Sequence, residues 1–412
     1  MKTARILALL LTVAVATGFA LAQTTVSYFS FTTDQSHMDE LEALIEVFEA
    51  ENPDIEIAVS TAPYDNYFTK LQTDYAAGNA ADVFELNYEN FVTFASRGLL
   101  EPLDEKLTGP DGVPEGTFYP AALNAFAHDG VQYGLPITFS TVVLYYNQDL
   151  FDEAGVAYPT NDWTWDDLIA AATQLTDAQN RVWGVHQPVQ FWEFYKVAEQ
   201  AGGGLVLDPT IQIDTPQNRE ALHYLVDKTR EHGVMPTTAE MSGMGDTDMF
   251  AAGQLAMTVT GIWMFDTFIN TADFAWDIAV EPGQDRKATH FFSNAAVVNE
   301  NASDVDAAWK WVEFLSSHPA VAEARIASAW ELPALSLEAS DVLEPYLAQP
   351  QPDNREAVFE SLRYAVNPPV VENQPELQDI VNQELEAAHL GAKTVEEALA
   401  AAQARVEELL GE

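Results

Sequence analysis

The chain predicts an α/β fold of two lobes, each a mixed sheet flanked by helices, with a hinge and a central cleft between them. Three observations carry this reading. Short β-type runs alternate with segments of helical periodicity over the first hundred residues, as an α/β sheet requires. The alternation restarts after residue 140. No internal repeat and no Gly/Ser- or Pro-rich linker separates the two halves, so the chain must pass tightly between lobes. At roughly 100–200 residues per domain, a chain of 412 residues has room for two.

Val26 to Phe31 suits a first strand. Met38, Leu41, Leu44, Ile45 and Phe48 share one helical face, and Asn52-Pro53 stops that helix. Ile55, Ile57 and Val59 alternate as a second strand. Tyr64, Phe68, Leu71 and Tyr75 return to helical spacing, with Gly78 as the C-terminal cap. Residues 82–86 read as a strand, and 89–98 as a helix closed by Gly98. In the second half, 141–147 is a strand, and Thr164 to Asp167 carries the capping-box spacing that opens a helix. Thr215 and Pro216 open another helix, which Gly233 ends. Asp246 to Ala252 reads as a short helix feeding a buried strand, Leu255 to Val259. Residues 307–316, 321–328, 376–388 and 395–410 are helical.

Lys2 and Arg5 precede an apolar run from Ile6 to Leu21, and Ala20-Leu21-Ala22 gives an A-x-A cleavage pattern. Residues 1–22 therefore read as a secretory signal peptide, too short and wrongly flanked for a membrane span. The exported chain contains no cysteine, so it has no disulfides and no lipid-bearing N-terminal cysteine. Soluble, periplasmic residence is the expectation. The net charge is −46 before cleavage, with 18 Lys and Arg against 64 Asp and Glu. That balance argues against nucleic acid and anionic membranes as partners. Disorder is the other reading of high charge, and 48% hydrophobic and 11% aromatic residues argue against it. A self-repelling monomer is expected.

Signals of catalysis are weak. There is no H-E-x-x-H and no G-x-x-x-x-G-K-[ST] motif, and no thiolate is available. The eight His residues have no ligand-like spacing and read as surface or satisfied core residues, so no metal and no cofactor are expected. Among 64 acids some pair will lie at glycosidase spacing, but no motif singles one out, so a secreted glycoside hydrolase is the weakest alternative. The aromatic residues are more informative. Tyr64, Tyr67, Tyr88, Trp192, Tyr195, Trp263 and Trp330 fall at or next to predicted strand ends and loops, with Asp34, Asn87, Glu89, Asn90 and Ser140 close by. Flat rings beside carboxylate, amide and hydroxyl groups suit a sugar, which has apolar C–H faces ringed by hydroxyls.

The order of several segments resembles the extracellular solute-binding proteins of ABC sugar importers, the group that includes maltose-binding protein. These segments are "LEALIEVFEAENPDIEIAV" (41–59), "TKLQTDYAAGNAADVFELNYENFVTFASRGLLEPLDE" (69–105), "YGLPITFSTVVLYYNQDLFDEAG" (133–155), "PTNDWTWDDL" (159–168), "FAAGQLAMTVTGIW" (250–263), "WKWVEFLSS" (309–317) and "KTVEEALAAAQARVEELL" (393–410). Ala81 departs from the usual Pro before Asp82.

The resemblance implies a type II periplasmic binding protein fold. The N-terminal lobe would hold 23–137 and about 290–340, and the C-terminal lobe 138–289 and about 341–412. Three crossings would lie near 136–140, near 286–292 and within 338–356. The implied function is capture of a sugar between the lobes and delivery to a membrane permease, with a polyol, polyamine or other small solute as the alternative cargo. Carried over, Trp263 is a stacking face, and "FWEFY" places Trp192 on a cleft loop as the second. Asn87, Tyr88, Glu89 and Asn90 would contact hydroxyls, as would Thr33, Asp34 and Ser36 after the first strand. Tyr64, Ser140 and Trp330 complete the expected binding residues. Ser140 stands where maltose-binding protein has an acid, and Gln378 where it has a late Trp, so the sugar need not be maltose. Gly261 is expected to give the tight turn that aims the Trp263 ring.

Overall fold

Alternating apolar residues build the first strand, β1 (Thr24–Ser30), which buries Val26 and Tyr28. The computed structural model describes residues 23–110, 112–206, 210–328, 331–336, 343–367, 369–371 and 373–411. The predicted signal peptide, Trp330 and part of the third crossing lie outside the described residues. Helix α1 (Gln35–Glu51) opens where the Asp34 carboxylate accepts the Ser36 N–H at 2.9 Å and stops at Asn52, before Pro53. β2 (Ile55–Thr61) lies parallel to β1. α2 (Tyr64–Ala77) ends on Gly78, whose φ of 71° is the left-handed conformation open to glycine. β3 (Val83–Asn87) is buried along its whole length and parallel to β1. It leads directly into α3 (Tyr88–Ser96), capped by Asn87.

β4 (Gly134–Asn147) is longer than the sequence predicts. Pro136 argues for a break, because proline cannot donate to a ladder. The strand absorbs it at a register shift between Pro136 and Thr138. Beyond β4 come α4 (Trp165–Leu175), α5 (Phe191–Gln200) and α6 (Pro216–Arg230), then β5 (Met257–Gly261), β6 (Trp276–Ala279) and β7 (Thr289–Val298). The capping box of Thr164 and Asp167 opens α4, and Thr215 with Pro216 opens α6, both where the sequence puts them. The segment "FWEFY" differs: it is the first turn of α5, not a loop.

The chain closes with α7 (Val305–Ser317), α8 (Pro319–Ser328), the short strands β8 (Leu332–Pro333) and β9 (Ala365–Val366), and α9 (Gln374–His389) and α10 (Val395–Leu410). The main sheet runs β8-β4-β7-β3-β1-β2. β4 changes partners along its length: residues 134–141 pair antiparallel with β7, and 142–147 with β5 and β6. It is therefore the strand through which the two strand groups join. β7 is its companion, paired with β3 on one side and with β9 at Thr289 and His290.

Helices sort with the two groups. α7 packs on β1 and β7, and α8 on α1. Trp311 of α7 is fully buried against the edges of Tyr28 and Phe48, and each such ring pair adds about 0.5–1.5 kcal/mol beyond area burial. The last helices instead join the second group, where Leu385 and Leu399 share a core with Phe194 and Leu222 of α5 and α6.

Candidate ligand-binding cleft

Period-two alternation along β7 puts His290, Phe292 and Asn294 on one face. That face is the floor of a cleft of about 930 Å³, near the upper end of the ~300–1,000 Å³ range of small-molecule sites. One wall comes from the carboxyl ends of the parallel strands, where an open α/β sheet places its ligands. Thr33 and Asp34 follow β1, Tyr64 begins the helix after β2, and Asn87, Glu89 and Asn90 sit where β3 passes into α3. The opposite wall is Trp192 in the first turn of α5, Trp263 in the turn after β5, and Gln374, Pro375 and Gln378 at the start of α9. α9 packs against α3, so the two walls touch.

The first wall is polar and held by its own caps. Asn87 Oδ1 accepts both the backbone N–H of Asn90 at 3.2 Å and its amide at 2.8 Å, while Asn87 Nδ2 donates to the Tyr64 hydroxyl at 2.9 Å. The Ser36 hydroxyl and N–H hold the Asp34 carboxyl below the usual carboxylate range. Asn294 donates to Glu331 at 3.5 Å, and burial pushes the Glu331 carboxyl up, with Arg325 opposing the shift.

The second wall is aromatic. Trp192 and Trp263 each stand nearly perpendicular to Phe292, with centroids at 5.3 and 5.1 Å. Gly261 has ordinary extended backbone, φ −83° and ψ 164°, so the tight turn expected there is not what the glycine supplies. A Cβ at this position would lie 1.9 Å from the Trp263 ring. Gly261 is glycine because the indole lies on its α-carbon.

Among the described residues, no group of three His, Cys, Asp or Glu could hold a metal ion, and no helix is long and apolar enough to cross a membrane. The described lining contains no Lys or Arg but has Asp34, Glu89 and Glu331. Two flat indoles facing amides and carboxylates can hold a ligand without reacting with it. A model of the bacterial extracellular solute-binding protein family matches residues 34–322.

The chain is a bacterial extracellular solute-binding protein.

Its two-lobed fold is shared with solved structures of this kind. An ABC substrate-binding protein of Listeria monocytogenes, solved in complex with cycloalternan, is 44% identical with a TM-score of 0.90, covering 94% of this chain and 99% of that one. A maltotriose-binding protein of Pyrococcus abyssi is 25% identical over 72% of this chain and 63% of its own length. An arabinooligosaccharide-binding protein of Halalkalibacterium halodurans is 26% identical over 60% and 56%.

The structure brings Trp263, Trp192, Tyr64, Asp34, Asn87, Glu89 and Asn90 of this solute-binding protein to one cleft. It moves three expected contacts, Tyr88, Ser140 and Ser36, away. Tyr88 packs with the core of Phe91 and Phe94, because successive helical residues point 100° apart. Ser140 is fully buried in β4 opposite Phe292, and it is the Phe292 ring that lines the cleft. Tyr67 is core, its hydroxyl bridging the carbonyls of Phe29 and Glu85. Ser36 caps α1. Trp330 lies outside the described residues. Gln378 does line the cleft.

Sequence reasoning missed His37, His290, Phe292, Asn294, Glu331 and Gln374. The histidines, read as surface or satisfied core, include two that line the cleft. The alternation of His290, Phe292 and Asn294 beside the expected second crossing was the available signal for three of these residues.

Proposed function

We propose that this protein is the extracytoplasmic substrate-binding component of an ABC importer and that its cargo is an oligosaccharide. The observation that carries the reading is the pairing of Trp192 and Trp263 on one wall with Asp34, Asn87, Glu89 and Asn90 on the other. The rings suit pyranose C–H faces, and the polar groups suit the hydroxyls around them. The cycloalternan, maltotriose and arabinooligosaccharide ligands of the relatives support that class. Phosphate-bearing cargo fits poorly, since the described lining offers three carboxylates and no Lys or Arg.

The reading has no chemical step. Two lobes close around the sugar because it makes contacts with both walls at once; a ligand with equal affinity for open and closed forms shifts nothing. The closed form docks on the membrane permease. The protein acts outside the cytoplasm, as a soluble monomer released from residues 1–22. Two or three stacks with their hydrogen bonds give micromolar affinity, about 8 kcal/mol.

The test is a thermal-shift screen of cycloalternan, maltotriose, arabinooligosaccharides, polyols and polyamines, followed by calorimetry. Oligosaccharides should raise the melting temperature, since only the folded form binds them. A shift with polyamines alone overturns the sugar reading. Turnover of an aryl glycoside overturns the non-catalytic one.

A further inference from the structure

His290 stands on the cleft floor between three elements. Its Nδ1 lies 2.5 Å from the Tyr195 hydroxyl of α5, and its Nε2 lies 3.4 Å from Glu89 Oε1 of α3. The Tyr195 hydroxyl also donates to the carbonyl of Val366 on β9 at 2.9 Å. A carbonyl only accepts, and a phenol has one proton. With that proton on the Val366 side, the short contact to His290 requires Nδ1 to carry the hydrogen and Tyr195 to accept it. A neutral imidazole then leaves Nε2 bare. His290 Nε2 and Glu89 Oε2 are both buried and neither has a hydrogen-bond partner. In that tautomer two acceptors face each other at the cleft floor, Nε2 lying 3.4 Å from Glu89 Oε1, and a buried acceptor without a donor is costly.

We propose that Tyr195 is a positioning residue that fixes the tautomer of His290, so that His290 and Glu89 together accept from two neighbouring hydroxyls of the sugar. This rests on the oligosaccharide reading and adds a stereochemical demand to it: a vicinal diol must be presented to the floor between the indoles. The titratable groups that face the imidazole are Glu89 from α3 and Tyr195, Glu193 and Lys196 from α5. Burial, the largest influence, holds His290 below its ordinary value; Lys196 adds to that, and Glu89 and Glu193 oppose it. Burial also pushes the Tyr195 phenol far up, so it stays protonated. On acidification Nε2 gains a proton and donates to Glu89, and the two groups satisfy each other instead of the ligand. Affinity then falls as pH drops through the depressed His290 value.

The test combines ¹⁵N NMR of the ligand-free full chain with calorimetry using cycloalternan and maltotriose. The His290 resonances are assigned by their loss in His290→Gln. Wild type should show the Nδ1–H tautomer. Tyr195→Phe removes the acceptor at Nδ1, so the proton should move to Nε2. Affinity should then fall about tenfold near neutral pH, the effect of one lost polar contact, and its acid dependence should flatten. A merely structural role for Tyr195 would leave the tautomer and the pH profile in place. An Nε2–H tautomer in wild type overturns the proposal, and so does Tyr195→Phe binding within twofold of wild type. The wild-type tautomer decides the matter even if the variant does not fold. Failure of both sugars to bind wild type would count against the oligosaccharide reading, while the NMR result still tests the tautomer.

Discussion

The two walls of the cleft are held in place by different means. The polar wall is fixed by local hydrogen bonds at helix starts, where Asp34 and Asn87 cap α1 and α3 within a few residues of the groups they orient. The aromatic wall is fixed from behind. Trp192 rides on α5 beside Glu193, whose carboxylate pairs with the buried Lys196 Nζ at 2.8 Å; Lys196 also pairs with Glu281 at 2.7 Å. Glu281 accepts from Thr289, the residue before His290 on β7. The cluster thus ties the helix of one indole to the floor strand. Polar groups need direction, which a cap supplies, whereas a ring has to be held at a depth, which requires packing and charge in the interior.

That contrast is broken most severely at Lys196. Removing one partner of a buried ion pair costs about 3–5 kcal/mol, because the charge left behind has no compensation. Lys196→Met should lower the melting temperature by several degrees, with a larger loss at pH 8 than at pH 5, since Glu281, pushed up to about 7, is ionised and left without its ammonium only at the higher pH. Thermal melts at the two pH values check this. No capping residue on the polar wall should cost as much.

The next effect is on affinity. Trp263→Ala removes a stacking face and its buried apolar area, worth about 1.5–3 kcal/mol, so sugar affinity should fall about ten- to a hundredfold by calorimetry. Gly261→Ala leaves the indole in the chain but denies it its seat, since the new Cβ would lie 1.9 Å from the ring. It should reproduce most of the Trp263→Ala loss. Wild-type affinity in Gly261→Ala would show that the depth of the ring is not what the site reads.

The polar wall was legible in the sequence because its determinants are local. Asp34, Asn87, Glu89 and Asn90 lie at the junctions of strand and helix, and the periodicity of the neighbouring segments marks those junctions. Trp192 and Trp263 could be placed by the order of the segments, but the seat of Trp263 could not, because it depends on how the ring folds back over Gly261. The floor was the least legible. His290, Phe292 and Asn294 belong to a strand that reads as ordinary core until its pairing with β4 and β3 exposes one face. The length of β4 was hidden by Pro136, tolerated only because a register shift is available there.

A smaller effect tests the pH response of the aromatic wall's anchor. Burial beside Glu193 pushes the Glu281 carboxyl up to about 7, with Lys196 opposing. In the unfolded chain it ionises near its ordinary value of about 4.3. Between these values the folded state holds a proton that the unfolded chain lacks. Stability is therefore fully present below the unfolded value and is lost as pH rises through about 7. Glu281→Gln should flatten that slope, matching wild type near pH 5 and exceeding it near pH 8 in chemical denaturation.

The smallest expected effect lies on the polar wall, at Asn87→Ala. The cap on α3 is lost, at about 0.5–2 kcal/mol of stability, but the helix remains packed through Phe91 and Phe94. Asn90 and Tyr64 lose the group that orients them, so sugar affinity should fall a few fold, in line with about 1 kcal/mol for a net hydrogen bond. Asn87→Ser keeps a hydroxyl acceptor that can cap α3 at the Asn90 N–H but has no second polar atom for the Tyr64 hydroxyl, so it separates capping from ring placement. If Asn87→Ser restores stability but not affinity, the Tyr64 contact is what the ligand senses. If it restores both, the polar wall works through its cap alone, and its difference from the aromatic wall is sharper than the residue types imply.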